Sequence, residues 1–139
     1  MKAIPVSETV SRIPVVQPDL VNVYLVGGLL IDSGGRLGSR RLLQVLSEYR
    51  LSSHVLTHAH MDHQGCSRAV CREFGIPLFC GEGDREAAES GNQSTLMRRP
   101  RPMVTKLMNL LSGPGHPVAG ALSEGDEIGG LTVIETPGH

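Results

Sequence analysis

Between residues 58 and 63 the chain reads His58-Ala59-His60-Met61-Asp62-His63, so four of six consecutive side chains can bind a metal ion. Imidazole nitrogens together with a carboxylate suit Zn²⁺, and also Fe or Mn. His58 and His60 are two apart, so in an extended segment both point the same way and can reach one ion together. Asp62 and His63 follow as the chain turns into a helix, and they can point at a neighbouring position. A lone histidine is usually an ordinary core or surface side chain. Three histidines and an aspartate in one short string have no evident packing role, so metal binding is the better reading.

Other chemistries find less support. The serines sit in expected turns and caps, and no G-x-S-x-G occurs. Cys66, Cys71 and Cys80 are odd in number and form no CxxC pair. They read as small buried apolar side chains, which favours a reducing cytoplasm over a disulfide framework. Net charge is −1 over 139 residues. That balance argues against a nucleic-acid partner or an anionic membrane. The N-terminus lacks the apolar stretch of a signal peptide, and the run from Val23 to Ile31 is too short to span a bilayer. A cytoplasmic enzyme acting on a small molecule is the expectation.

The elements that must position these residues alternate along the chain. Val21–Val26 and Leu29–Asp32 flank Gly27-Gly28 and predict a hairpin. Ser39 to Tyr49 predicts a helix with Leu42, Val45, Leu46 and Tyr49 on one face and Ser39 as its N-cap. His54–Thr57 predicts a strand running straight into His58. Gln64 to Phe74 predicts a helix closed by Gly75 and stopped by Pro77. Leu78–Cys80 predicts a strand, and Asp84–Ser90 a helix capped by Asp84. The ligand string therefore lies where a strand hands over to a helix, the end at which α/β sheets bind ligands. The whole length, 1–139, reads as one α/β domain. Residues 91–123 stand apart: a polar, proline-broken stretch, an amphipathic turn or two around Val104, Leu107, Met108 and Leu111, then a Gly/Pro loop. They are expected to form a lid or insertion. Leu131–Glu135 predicts a last strand before Thr136-Pro137-Gly138-His139.

Taken together these features resemble the metallo-β-lactamase fold, whose superfamily includes glyoxalase II-like thioesterases, lactonases, β-lactamases and nucleases. The resemblance rests on the H-x-H-x-D-H string after an apolar strand. It also rests on Asn22-Val23-Tyr24-Leu25 with Leu30-Ile31-Asp32-Ser33-Gly34, and on Gly125-Asp126 through Thr136-Pro137-Gly138-His139. Overall spacing is closer to the glyoxalase II-like branch than to the nucleases. The resemblance implies the N-terminal portion of an αββα sandwich, incomplete because the second half of that fold has no counterpart before residue 139. It implies that His58, His60 and His139 bind a first zinc, that Asp62 and His63 help bind a second, and that Asp32 lies behind them and orients the loop. One zinc is expected and the second site is incomplete. Asp62 is the expected catalytic residue, orienting the attacking water or taking its proton. The activity implied is hydrolysis of a small ester, thioester or lactone. Two other readings accompany it: an inactive truncated remnant, or a half-domain needing a partner chain to complete the site. The basic residues Arg98, Arg99, Arg101 and Lys106 would steer an anionic substrate or simply form a solvated surface.

Overall fold

A computed structural model describes residues 1–16 and 20–138. Among them the strands are β1 (Ile4–Pro5), β2 (Val10–Val16), β3 (Val21–Val26), β4 (Leu29–Ile31), β5 (Ser53–Val55), β6 (Leu78–Gly81), β7 (Val118–Leu122), β8 (Glu127–Ile128) and β9 (Leu131–Thr132). The helices are α1 (Ser39–Leu46), α2 (Met61–Gln64), α3 (Ser67–Phe74), α4 (Arg85–Ser90) and α5 (Pro102–Ser112). Strands β1 to β7 form one sheet in chain order, and β8 pairs with β9 as a separate hairpin. The pairs β1–β2, β2–β3 and β3–β4 are antiparallel, whereas β4–β5, β5–β6 and β6–β7 are parallel and joined by helical crossovers.

Register explains where the core sits. Leu25, Leu30, His54, Leu78 and Val118 align across five strands and are all buried. Leu30, Leu78 and Val118 of this row share one buried cluster with Leu42, Val45 and Leu46 of α1, Val70 and Cys71 of α3, and Ala87 and Ala88 of α4. Leu30 is fully buried, so truncating it to Ala would cost about 2–5 kcal/mol. The alternate row, Tyr24, Ile31, Val55 and Phe79, turns to the opposite face and is half-buried or exposed. The β8–β9 hairpin covers part of that face: Gly129 lies so close to Leu29 that a Cβ there would come within 2.9 Å of its side chain.

Several expectations need correction. Helix α1 ends at Leu46, and its N-cap residue is Gly38; the Ser39 hydroxyl donates to the Arg36 carbonyl instead. The helix expected over Gln64–Phe74 is two helices broken at Gly65-Cys66. A Cβ on Gly65 would fall on the backbone nitrogen of Arg36 and within 2.8 Å of Gly34 O, so the break lets two backbones touch. Gly75 does close α3 in the left-handed conformation. Asp84 precedes α4 but makes no side-chain cap bond. The stretch 91–123 contains an eleven-residue helix, α5, and ends in β7, a strand of the main sheet. The last strand is confined to Leu131–Thr132.

Candidate metal centre

Past β5 the chain bends at Thr57, and His60 is extended, with φ and ψ of −69° and 155°, before α2 begins. That local geometry puts His58 and His60 side by side, with ring centroids 4.7 Å apart and edge-on. Helix α2 then brings His63 back, its ring centroid 4.0 Å from that of His58. Asp62 lies in the first turn of the same helix, its carboxylate 3.7 Å from Nε2 of His63. His58, His60, Asp62 and His63 are therefore neighbours. His139 lies outside the described residues.

Asp32 sits behind them at the end of β4, 6% exposed. Its φ of 59° is the only positive value among the described non-glycine residues. Asp tolerates this conformation better than most side chains, and the turn aims its carboxylate at the loop. That carboxylate accepts from the Thr57 amide at 2.8 Å, from the Thr57 hydroxyl at 2.8 Å, and from Nδ1 of His63 at 2.8 Å. A carboxylate only accepts, so His63 carries its proton on Nδ1 when neutral and its lone pair on Nε2, toward Asp62. The same hydrogen bond raises the His63 pKa, with burial opposing it. Ser33, next in sequence, donates its amide to the His63 carbonyl at 2.7 Å, and its hydroxyl lies 2.9 Å from the same oxygen.

Behind Ser33 a polar chain runs into the core. The Ser33 hydroxyl is 3.0 Å from that of Ser67, and Ser67 is 2.9 Å from Nε2 of His54. Nδ1 of His54 lies 3.1 Å from the Leu30 carbonyl. The carbonyl requires a donor, so neutral His54 holds its proton on Nδ1 and accepts from Ser67 at Nε2. Burial pushes its pKa down from 6.5 to about 4. His54 is thus a core histidine. His116 sits in the Gly/Pro loop near Arg68 and Arg72, where burial and those charges lower its pKa, and it takes no part in the site.

The other side of the loop is held at Ala59, which is fully buried between the two histidines. Its amide donates to Oδ1 of Asp84 at 2.8 Å, and its carbonyl accepts from Nε2 of Gln93 at 2.9 Å. Sequence reasoning missed Thr57, Ser33, Asp84 and Gln93. The first two adjoin expected site residues and were findable by position. Asp84 and Gln93 carry no local signal.

A groove of about 640 Å³ opens beside His58 and His60, walled by Ile31, Val55, Leu122 and Leu131. A larger depression, about 830 Å³, lies against α5 and contains no candidate ligand. The three cysteines are buried, and burial pushes their thiols up to about 12, so none is a nucleophile at neutral pH.

As the side chains stand, no group of three or more His, Cys, Asp or Glu among the described residues is arranged to hold an ion. Donor chemistry nevertheless fits zinc: adjacent imidazoles, a carboxylate, and a His63 tautomer that presents Nε2. No helix of the described residues is long and apolar enough to cross a membrane.

A family model described as "Metallo-beta-lactamase superfamily" matches residues 16–139. Among solved structures, the subclass B3 metallo-beta-lactamase BJP-1 of Bradyrhizobium japonicum aligns with TM-score 0.73 at 21% identity, covering 92% of this chain and 47% of that one. GOB-18 from Elizabethkingia meningoseptica aligns at 0.71 and 16%, with coverages of 92% and 47%. The class B3 di-zinc enzyme LRA-12 from an Alaskan soil metagenome aligns at 0.74 and 14%, with coverages of 92% and 48%. These identities speak for the fold, and the chain spans about half the length of each of these structures. A search of curated proteins found no match.

Proposed function

The chain belongs to the metallo-beta-lactamase superfamily, and from that premise we propose that it carries the zinc-binding loop of a hydrolase acting on a small ester, thioester or lactone. The observation that supports this reading most is the Asp32–His63 hydrogen bond, which fixes a ligand tautomer behind a cluster of three histidines. His58, His60 and His139 would hold a first zinc, with Asp62 and His63 toward a second position. Zinc there would supply Lewis acidity and lower the pKa of a coordinated water toward neutrality.

The chain's own residues have distinct tasks. Asp32 holds His63 through Nδ1 and keeps Nε2 directed outward. Asp62, half-exposed beside that nitrogen, accepts a proton at its carboxylate or orients the water. The groove is lined by Ile31, Val55, Leu122 and Leu131 together with Glu82, Asp84 and Glu135, and by no Lys or Arg, which favours an acyl group over a polyanion. Arg98, Arg99, Arg101 and Lys106 do not line that groove, so steering of an anion would act at a distance. Our reading remains a member of the glyoxalase II-like or lactonase type, working in the cytoplasm without a nucleic-acid or membrane partner.

One observation favours a second reading. The sheet face bearing Tyr24, Ile31, Val55 and Phe79 is only partly covered, and Leu131 and Ile134 are exposed beside it. A further layer seated there, from the same polypeptide or a partner chain, would cover the face and add metal ligands. On this reading the 139 residues bind metal weakly and hydrolyse nothing by themselves.

Elemental analysis of monodisperse 139-residue protein tests the zinc site. We expect about one zinc per chain, lost in His58→Ala. Absence of metal from the monodisperse chain would overturn the zinc reading. With zinc present, turnover of thioester or lactone panels supports the enzyme, and none supports the half-domain.

A further inference from the structure

We propose that Asp84 and Gln93 are positioning residues that clamp the Ala59 peptide groups and thereby set where His58 and His60 stand. The proposal rests on the zinc reading for its consequence, but its geometry is independent of it.

Ala59 separates the two histidines, so rotating its peptide groups would swing one ring away from the other. It is fully buried, and its amide and carbonyl have no ladder partner because β5 ends at Val55. Buried backbone groups need partners, and here both are side chains from distant segments. Asp84 reaches the amide at 2.8 Å, 25 residues away in sequence, and Gln93 reaches the carbonyl at 2.9 Å, 34 residues away. A carboxylate on the amide and a carboxamide on the carbonyl form a matched pair: one only accepts, the other must donate.

Asp84 stands where an N-cap would stand, yet makes no side-chain cap bond to α4. Its Oδ1 is turned to the loop instead. Gln93 is fully buried, and its Oε1 has no hydrogen-bond partner among the described residues. Among the described residues the hydrogen bonds of its side chain are those of its donor. That donor, Nε2, is shared between Ala59 O and the Ser112 hydroxyl at 3.2 Å. Ser112 also accepts from Nε2 of Gln64 at 2.8 Å, at the end of α2. The stretch 93–112 is therefore tied to both ends of the ligand string: to Ala59 through Gln93, and to Gln64 through Ser112. On this view it buttresses the loop from behind.

The test compares Asp84→Ala, Asp84→Asn and Gln93→Met with the parent chain. Asparagine keeps an acceptor for the Ala59 amide, and methionine fills the space of glutamine without donating. Val45→Ala, on the buried face of α1, serves as a control that lowers stability away from the loop. Zn²⁺ affinity is read by competition with a chromophoric chelator, and Ala59 amide exchange by NMR on the metal-free chain. Asp84→Ala and Gln93→Met are expected to weaken Zn²⁺ binding by about 10–100-fold, as loss of a ligand-orienting partner does. Asp84→Asn and Val45→Ala stay close to the parent. Asp84→Ala is also expected to expose the Ala59 amide to faster exchange without metal. Parent-like Zn²⁺ affinity in both disrupted variants would overturn the proposal, as would equal losses in Val45→Ala. If the parent binds no Zn²⁺, the zinc reading fails, and the clamp is decided by exchange alone: unchanged Ala59 protection in Asp84→Ala overturns it.

Discussion

Acid destabilises this fold through His54, and the size of the effect follows from the structure. The ring is fully buried in the centre of the sheet, its Nδ1 facing the Leu30 carbonyl and its Nε2 the Ser67 hydroxyl. Desolvation is the main reason its pKa falls from 6.5 to about 4. Above 6.5 neither the folded nor the unfolded chain binds a proton here, and the contribution to stability is complete. Below 6.5 the unfolded chain takes up a proton that the folded chain refuses, so stability falls with pH until about 4. The slope approaches about 1.4 kcal/mol per pH unit. The loss is then about 2 kcal/mol at pH 5 and about 3 kcal/mol at pH 4. Domains of this size are commonly stable by about 5–15 kcal/mol, so the loss is a substantial share.

Urea unfolding at about pH 7.5, 6 and 5 would measure it, with His54→Gln as comparison. Glutamine can donate to Leu30 O and accept from Ser67 but does not titrate. His63 works in the opposite sense: its pKa is raised by Asp32, so its contribution is present below 6.5 and is lost as pH rises through the folded value. Because both proteins retain His63, its effect cancels in the comparison. The expected result is a parent curve falling about 2 kcal/mol further than the variant's between pH 7.5 and 5. Parallel curves would show that His54 is not held neutral in the core, and the argument from its burial would fail.

Other expectations follow from single contacts. Asp32→Asn replaces one carboxylate oxygen by an amide and disturbs the hydrogen bond to His63; Zn²⁺ affinity by chelator competition should drop about 10–100-fold, and an unchanged value would remove Asp32 from the site. Gly65→Ala drives a Cβ into the Arg36 backbone nitrogen and Gly34 O; a loss of about 1–3 kcal/mol in urea is expected, and a neutral result would mean that the two backbones are not in contact. The three thiols, buried and with pKa values near 12, should resist a thiol reagent at neutral pH until the chain is unfolded; rapid labelling of the native chain would contradict their burial.

What could be read from the sequence depended on whether the cause was local. The β3–β4 hairpin was legible because apolar alternation and Gly27-Gly28 act within a dozen residues. The buried face of α1 followed from helical spacing, whereas of Cys66, Val70 and Phe74 only Val70 is buried within α3. The break at Gly65-Cys66 was not legible, because Cys66, Val70 and Phe74 keep helical spacing through it. Its cause is the close approach of residues 34 and 36, about thirty positions earlier. Strand β7, Val-Ala-Gly-Ala-Leu, has small residues and little β-propensity of its own; it is a strand because β6 offers it a parallel partner. The reading of Asp84 as a cap had the right residue type and the wrong partner.

The candidate site shows the same division, and there the division has a consequence for function. The string from His58 to His63 declares its donors, but six residues of loop and short helix cannot hold four side chains in register by themselves. The fold holds them from two sides. On one, Asp32, in its left-handed turn, and Ser33 bind Thr57, Nδ1 of His63 and the His63 carbonyl. On the other, Asp84 and Gln93 bind both backbone groups of Ala59. The two sides come from distant segments, so the geometry of the ligands depends on how the end of β4, the start of α4 and the 93–112 stretch pack around the loop. A substitution that shifts α4 or the 93–112 stretch is then expected to change metal binding without touching a ligand, and a search for function confined to the histidines would miss it.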